Sequence, residues 1–319
     1  MFLGGCATPF VQPAAPRQLS PALYPSYAIM ADGYRLPLSR WRVDGKRRAI
    51  LLALHGLNDY RHAFDSTGEY LARRGIEVVA YDQRGFGESD GHGLWHGSER
   101  MVEDLRVMIE LLRDDHPTLP LYLLGESMGG AVVLAASNGE GLAVDGMVLV
   151  APAIWSRDSM PCYQRWALWL FSHFVPAMEL TCEGLDLHPS DNIAMLQDLG
   201  KDPLVIKETR VDVLYGMSNL MDLAVEADTA IPVRMLILYG QHDDIIPRGP
   251  TCRWLRTLPG NRTPPVQTLI YRSGYHMLIR DLQAGLVLED IVRWISGGAV
   301  EVNGQTHIRL EAFCATGVD

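Results

Sequence analysis

A series of short apolar runs, separated by segments of helical spacing, constrains this chain more than any other feature. The run over 49–54 (AILLAL) is apolar throughout, as a strand buried on both faces must be. Further strands are read at 76–81, 121–124, 146–150, 233–239 and 266–271. Between them the spacing predicts helices over 61–74 (Phe64, Tyr70 and Leu71 inward, Gly75 as the stop), 98–116, 128–137, 249–258 and 282–295. In 98–116, Ser98 is placed to cap, Val102, Leu105, Ile109 and Leu112 form the stripe, and Pro117 and Pro120 end the helix. Upstream, 27–30 and 36–43 read as strands joined at Ala31-Asp32-Gly33. Strands alternating with helices make a mostly parallel sheet covered on both faces, the α/β class. The alternation breaks over 153–230, where no clear strand appears and Trp155, Trp166, Trp169, Phe171 and Phe174 accumulate. This stretch reads as a helical cap inserted into a core formed by 26–152 and 231–296. A tail over 297–319 alternates Val300, Val302, Ile308 and Leu310, which suggests a hairpin around Asn303-Gly304.

Charge and composition narrow the function. The 319 residues carry 28 Lys plus Arg against 38 Asp plus Glu, a net charge of −10. A nucleic-acid partner is excluded, because no basic footprint longer than Lys46-Arg47-Arg48 exists to meet phosphates. The five cysteines have no metal-ligand spacing. Cys162, Cys182, Cys252 and Cys314 read as thiols, with a Cys162–Cys182 pair open to an oxidising compartment. Leu3-Gly4-Gly5-Cys6 resembles a bacterial lipobox, in which the cysteine becomes lipidated. This favours a cell-envelope lipoprotein attached to the membrane through Cys6, with 8–25, rich in Pro and Ala, as its tether. An accidental match would leave a cytoplasmic protein.

The chemistry concentrates in Gly125-Glu126-Ser127-Met128-Gly129-Gly130, a GxSxG motif at a strand-to-helix junction. A sharp turn there exposes the serine, and glycines two residues either side avoid collision. Ser127 is the candidate nucleophile. A hydroxyl needs a base, and the base needs a carboxylate. His276 follows the last strand of the series and is the candidate base, whereas His242 lies in the acid loop and His307 in the tail. After 233–239 both Asp243 and Asp244 are available, and the spacing from the strand end favours Asp243 as the acid. The oxyanion donors are the N–H groups of Met128 and Leu57, the latter in His55-Gly56-Leu57-Asn58. His55 braces that loop, and Asp82 and Arg84 pin the loop that follows 76–81.

Together these residues resemble the monoacylglycerol lipase and lysophospholipase branch of the α/β hydrolases, which is grouped with the S33-type serine aminopeptidases. The branch shows HG-x, D-x-R-G-x-G-x-S, G-x-S-M-G-G, G-x-x-D and a late H. This chain has His55-Gly56-Leu57, Asp82-Gln83-Arg84-Gly85-Phe86-Gly87-Glu88-Ser89, Gly125 to Gly130, Gly240 to Asp243, and His276. It departs at Asn58-Asp59-Tyr60, where the glyceride lipases often carry Gly-Glu-His, and in the cap. The resemblance implies an α/β-hydrolase fold with a helical cap. It also implies hydrolysis of a lipid-like carboxylic ester, such as monoacylglycerol or lysophospholipid, through an acyl-enzyme on Ser127. No metal and no organic cofactor is expected. An aminopeptidase on the same fold would need acid in the cap, which Glu179, Glu183 and Asp186 offer. An acyltransferase would differ only in excluding water, and a binding module would be expected to have lost one of the three candidate side chains, all of which this chain keeps.

Overall fold

The computed structural model describes residues 8–139, 141–181, 184–227, 233–258, 265–298 and 300–315. The strands are β1 (Ala22–Leu23), β2 (Tyr27–Ile29), β3 (Arg35–Trp41), β4 (Ala49–Leu54), β5 (Ile76–Tyr81), β6 (Leu121–Glu126), β7 (Gly146–Val150), β8 (Glu179–Thr181), β9 (Glu208–Arg210), β10 (Arg234–Gly240), β11 (Val266–Tyr271) and β12 (His307–Ile308). The helices are α1 (Asp65–Ala72), α2 (Ser98–Asp115), α3 (Met128–Ala136), α4 (Cys162–Phe174), α5 (Ile193–Lys201), α6 (Val211–Val225), α7 (Arg248–Thr257), α8 (Ala284–Ile295) and α9 (Leu310–Ala315). Among the described residues the main sheet runs β1-β2-β3-β5-β4-β6-β7-β10-β11-β12. It is parallel from β5 to β11 and antiparallel at both edges.

The apolar runs become strands because every residue of β4, β5, β6 and β7 is buried. Strand periodicity sorts them onto two faces. Ile50, Leu52 and Leu54 meet Leu105 of α2 and Val132 of α3 on one face. Ala49, Leu51 and Ala53 meet Leu71 of α1 and Ile291 of α8 on the other. This layering brings the C-terminal ends of β4, β6, β10 and β11 to one rim, where an open parallel sheet places its ligands.

Several local expectations are corrected. The 61–74 helix divides into a 3-10 turn (Arg61–Phe64) and α1. Gly97, at φ 96°, occupies the N-cap of α2, so Ser98 is the first helical residue and makes no cap bond. The 153–230 segment does contain strand, because β8 and β9 pair antiparallel. Among the described residues the tail forms no hairpin of its own. Instead β12 pairs antiparallel with β11, a turn begins at Asn303, and His307 reaches Asp290 at 3.1 Å. Residues 12–23, expected as a tether, bond to the core: Gln12 N–H donates to Trp95 O, and Gln18 and Leu19 N–H donate to Ala31 O.

Cys252 of α7 and Cys314 of α9 form a disulfide. Closing a loop of that length (sequence separation 62) contributes about 4 kcal/mol in the chain-entropy account. Cys162 is free and exposed. Cys6 and Cys182 lie outside the described residues, as does Glu183. No helix among the described residues is long and apolar enough to cross a membrane.

Candidate active site

Ser127 sits at the turn between β6 and α3 with φ 51° and ψ −112°. A non-glycine residue there costs about 1–3 kcal/mol, so the surroundings must enforce it. Its N–H donates to Val150 O at 2.9 Å, and its carbonyl accepts from Ala131 N at 3.1 Å and Ala153 N at 2.9 Å. The motif glycines allow the close packing. A Cβ on Gly125 would lie 2.6 Å from Gly129 O, one on Gly129 would strike the Leu54 carbonyl, and one on Gly130 would lie 2.8 Å from Pro152 Cβ. Ser127 remains partly exposed.

His276 and Asp243 meet on the same rim. His276 Nδ1 is 2.9 Å from Asp243 Oδ2. The other carboxylate oxygen, Oδ1, accepts the N–H groups of Ile245 and Ile246, both at 2.9 Å. Their two loops are locked together: Gln241 N–H donates to Tyr271 O and His242 N–H to Gly274 O, both at 2.9 Å. Burial pushes the His276 pKa down, but the charge and hydrogen bond of Asp243, helped by Glu126, carry it above the ordinary histidine value. Asp244 turns outward, 3.7 Å from the exposed His188. No hydrogen bond joins Ser127 Oγ to His276 in this structure, and β7 lies between the strands that carry Ser127 and Asp243.

The Leu57 loop packs directly on the serine. A Cβ on Gly56 would touch Ser127 Cβ at 3.4 Å. Among the described residues, neither Leu57 N–H nor Met128 N–H donates to a protein acceptor. His55 is fully buried, and burial lowers its pKa. Its Nε2 accepts Gln83 N–H at 3.0 Å, which leaves Nδ1 to donate to Gly56 O at 2.8 Å. His55 is therefore a brace. Asp82 and Arg84 are buried in ion pairs with Arg61, and with Asp32 and Asp104, respectively.

The cap crosses above this rim. Asn58 Nδ2 donates to Thr209 Oγ1 at 2.6 Å, and Met277 N–H donates to Pro189 O at 2.9 Å. The cap aromatics do not form a core of their own: on α4, Trp166 is 66% and Phe174 58% exposed, and Ser172 is the one buried residue of that helix. Glu179 and Asp186 are exposed. A cavity of about 790 Å³ opens between α5, α1 and α8, lined in part by Asp59, Asp202 and Arg280, and includes none of the five candidate residues.

The family model for serine aminopeptidase, S33, matches residues 45–283. The chain belongs to the S33 serine aminopeptidase family of α/β hydrolases. It is 26% identical to the monoglyceride lipase of Rattus norvegicus, covering 85% of this chain and 89% of that one. It is 27% identical to the monoacylglycerol lipase of Mycolicibacterium smegmatis, covering 82% and 93%. The fold matches a Paleococcus ferrophilus monoacylglycerol lipase (TM-score 0.68, 23% identity, 83% of this chain and 99% of that chain). It also matches a soluble variant of the Saccharomyces cerevisiae monoglyceride lipase (TM-score 0.70, 20% identity, 91% and 100%).

Sequence reasoning missed the supports of the S33 rim. Asp281 accepts Tyr275 N–H at 2.8 Å and Ser190 Oγ–H at 2.6 Å, and burial pushes its carboxyl up to about 6. Arg280 reaches Asp59 and Glu126. The available signal was a charged pair, Arg280-Asp281, closing the apolar Met277-Leu278-Ile279.

Proposed function

We propose that this chain hydrolyses carboxylic esters of a medium or long acyl chain through an acyl-enzyme on Ser127. The observation that carries the reading is the His276–Asp243 hydrogen bond on the rim where the strained Ser127 also emerges. His276 takes the Ser127 proton as Oγ attacks the ester carbonyl, and Asp243 stabilises the imidazolium. The two undonated N–H groups, Leu57 and Met128, receive the oxyanion of the tetrahedral intermediate. Protonated His276 releases the alcohol, then activates the water that frees the acid. The Ser127–His276 hydrogen bond closes with substrate, because such bonds are often long in unliganded sites.

Two features support a lipid-like substrate. The similarity to monoglyceride lipases is one. The other is α4, whose exposed Tyr163, Trp166, Leu170 and Phe174 give the cap an apolar surface suited to a lipid aggregate. The Cys252–Cys314 disulfide supports folding in an oxidising compartment.

The test is a panel of p-nitrophenyl esters from acetate to dodecanoate, with monoacylglycerol, lysophospholipid and an aminoacyl p-nitroanilide. Each methylene buried in the transition state is worth about 0.8 kcal/mol, roughly fourfold in kcat/KM, so rates should climb with chain length until the pocket is filled. Fastest turnover of the anilide would replace this reading with a peptidase. A flat chain-length series would remove the lipid-like acyl group.

A further inference from the structure

Arg280 lies four residues after His276, on the loop that follows β11. Its NH1 is 2.7 Å from Asp59 Oδ2, and Asp59 lies two residues after Leu57. Its NH2 is 3.2 Å from Glu126 Oε2, and Glu126 immediately precedes Ser127. One guanidinium thus contacts the loops of the candidate base, nucleophile and oxyanion donor. Among the described residues, no other side-chain hydrogen bond or ion pair joins any two of these three loops. The backbone oxygen of Arg280 also accepts Asn192 Nδ2–H of the cap at 2.9 Å.

We infer that Arg280 is a positioning residue, whose two-armed bridge to Asp59 and Glu126 fixes Ser127, His276 and the Leu57 N–H relative to one another. The inference rests on the function proposed above. All three side chains are buried, at 9%, 7% and 2% exposure. Burying a charge network commonly yields no more stability than apolar packing would, so stability is a poor reason for placing one here. Geometry is a better one. The planar guanidinium holds two carboxylates at fixed angles, which the point charge of a lysine does not. A misplacement of about 1 Å at a reacting centre costs on the order of 100-fold in rate. The bridge carries one cation and two anions. Glu126 and Arg280 act on His276 in opposite senses, Glu126 favouring the imidazolium and Arg280 opposing it. Glu126 Oε1 is buried with no hydrogen-bond partner, so Arg280 is what holds this carboxylate in place.

The test uses the full chain, titrated with a fluorophosphonate so that turnover of p-nitrophenyl octanoate is expressed per reactive site. Arg280→Met is expected to titrate fully, with kcat per site down about 100-fold and KM within about threefold. Arg280→Lys keeps the charge and guards against a misfolded Met variant. It should titrate fully with kcat per site down about tenfold, the loss being independent of pH. A purely structural role gives a different result: fewer titrated sites, each turning over at the wild-type rate. That result, or wild-type turnover per site in a folded variant, overturns the positioning role. Ser127→Ala in parallel should neither titrate nor turn over. If it does both, the proposed nucleophile falls and the inference falls with it. A dead Ser127→Ala beside an unaffected Arg280→Lys removes the inference alone.

Discussion

His276→Ala is expected to lower kcat by roughly four to six orders of magnitude while leaving the fold intact. In the proposed mechanism the imidazole accepts the serine proton and returns it to the leaving alcohol, and neither His55 nor His307 is placed to replace it. His55 is locked by Gln83 and Gly56, and His307 faces Asp290. The residual rate would come from the Leu57 and Met128 N–H groups and from binding. The pH profile of the wild-type enzyme carries the same assignment. Only neutral imidazole is a base, so kcat/KM falls as pH drops through the His276 pKa. That pKa is raised above 6.5, with the Asp243 charge overcoming burial, so the acid limb should be centred above that value. Asp243→Asn removes this raising influence and should move the limb to lower pH, with kcat lower by about 10⁴. A limb centred below 6.5, unmoved in the Asp243 variant, would mean that another group is the base.

Arg84→Met is expected to lower stability substantially. Arg84 is 2% exposed and holds Asp32 at 2.6 and 3.0 Å and Asp104 at 2.6 and 2.8 Å. Removing one partner of a buried pair leaves uncompensated charge, at a cost of about 3–5 kcal/mol. The consequence reaches the candidate site, because Arg84 adjoins Gln83, which braces His55 beneath the Leu57 loop. Urea unfolding should show the midpoint falling with the slope unchanged. A loss below about 1 kcal/mol would show that the Asp32–Arg84–Asp104 cluster is not what anchors this loop.

How much of this was legible in the sequence depended on whether the determinant was local. The strands at 49–54 and 146–150 were readable because burial on both faces leaves a continuous apolar run. The Ser127 turn was readable because its glycines answer to contacts made within the motif or with the adjacent strand, as at Gly125 against Gly129. The strands β8 and β9 were not, since β8 is exposed at every residue and shows no period. The Cys252–Cys314 pair was hidden for another reason: 62 residues apart, it is decided by where α9 docks. Similarly, Gly97 caps α2 through a positive φ that favours glycine over the neighbouring serine. Arg280 was the hardest to read, because its meaning depends on three loops far apart in the chain converging on one guanidinium.

Whether Ser127 is the nucleophile is decided by reacting the folded protein with a fluorophosphonate, digesting it and mapping the adduct by mass spectrometry. One adduct is expected, on the peptide carrying Ser127, formed more slowly in His276→Ala. An adduct on a different residue, or none on folded protein, would contradict that assignment.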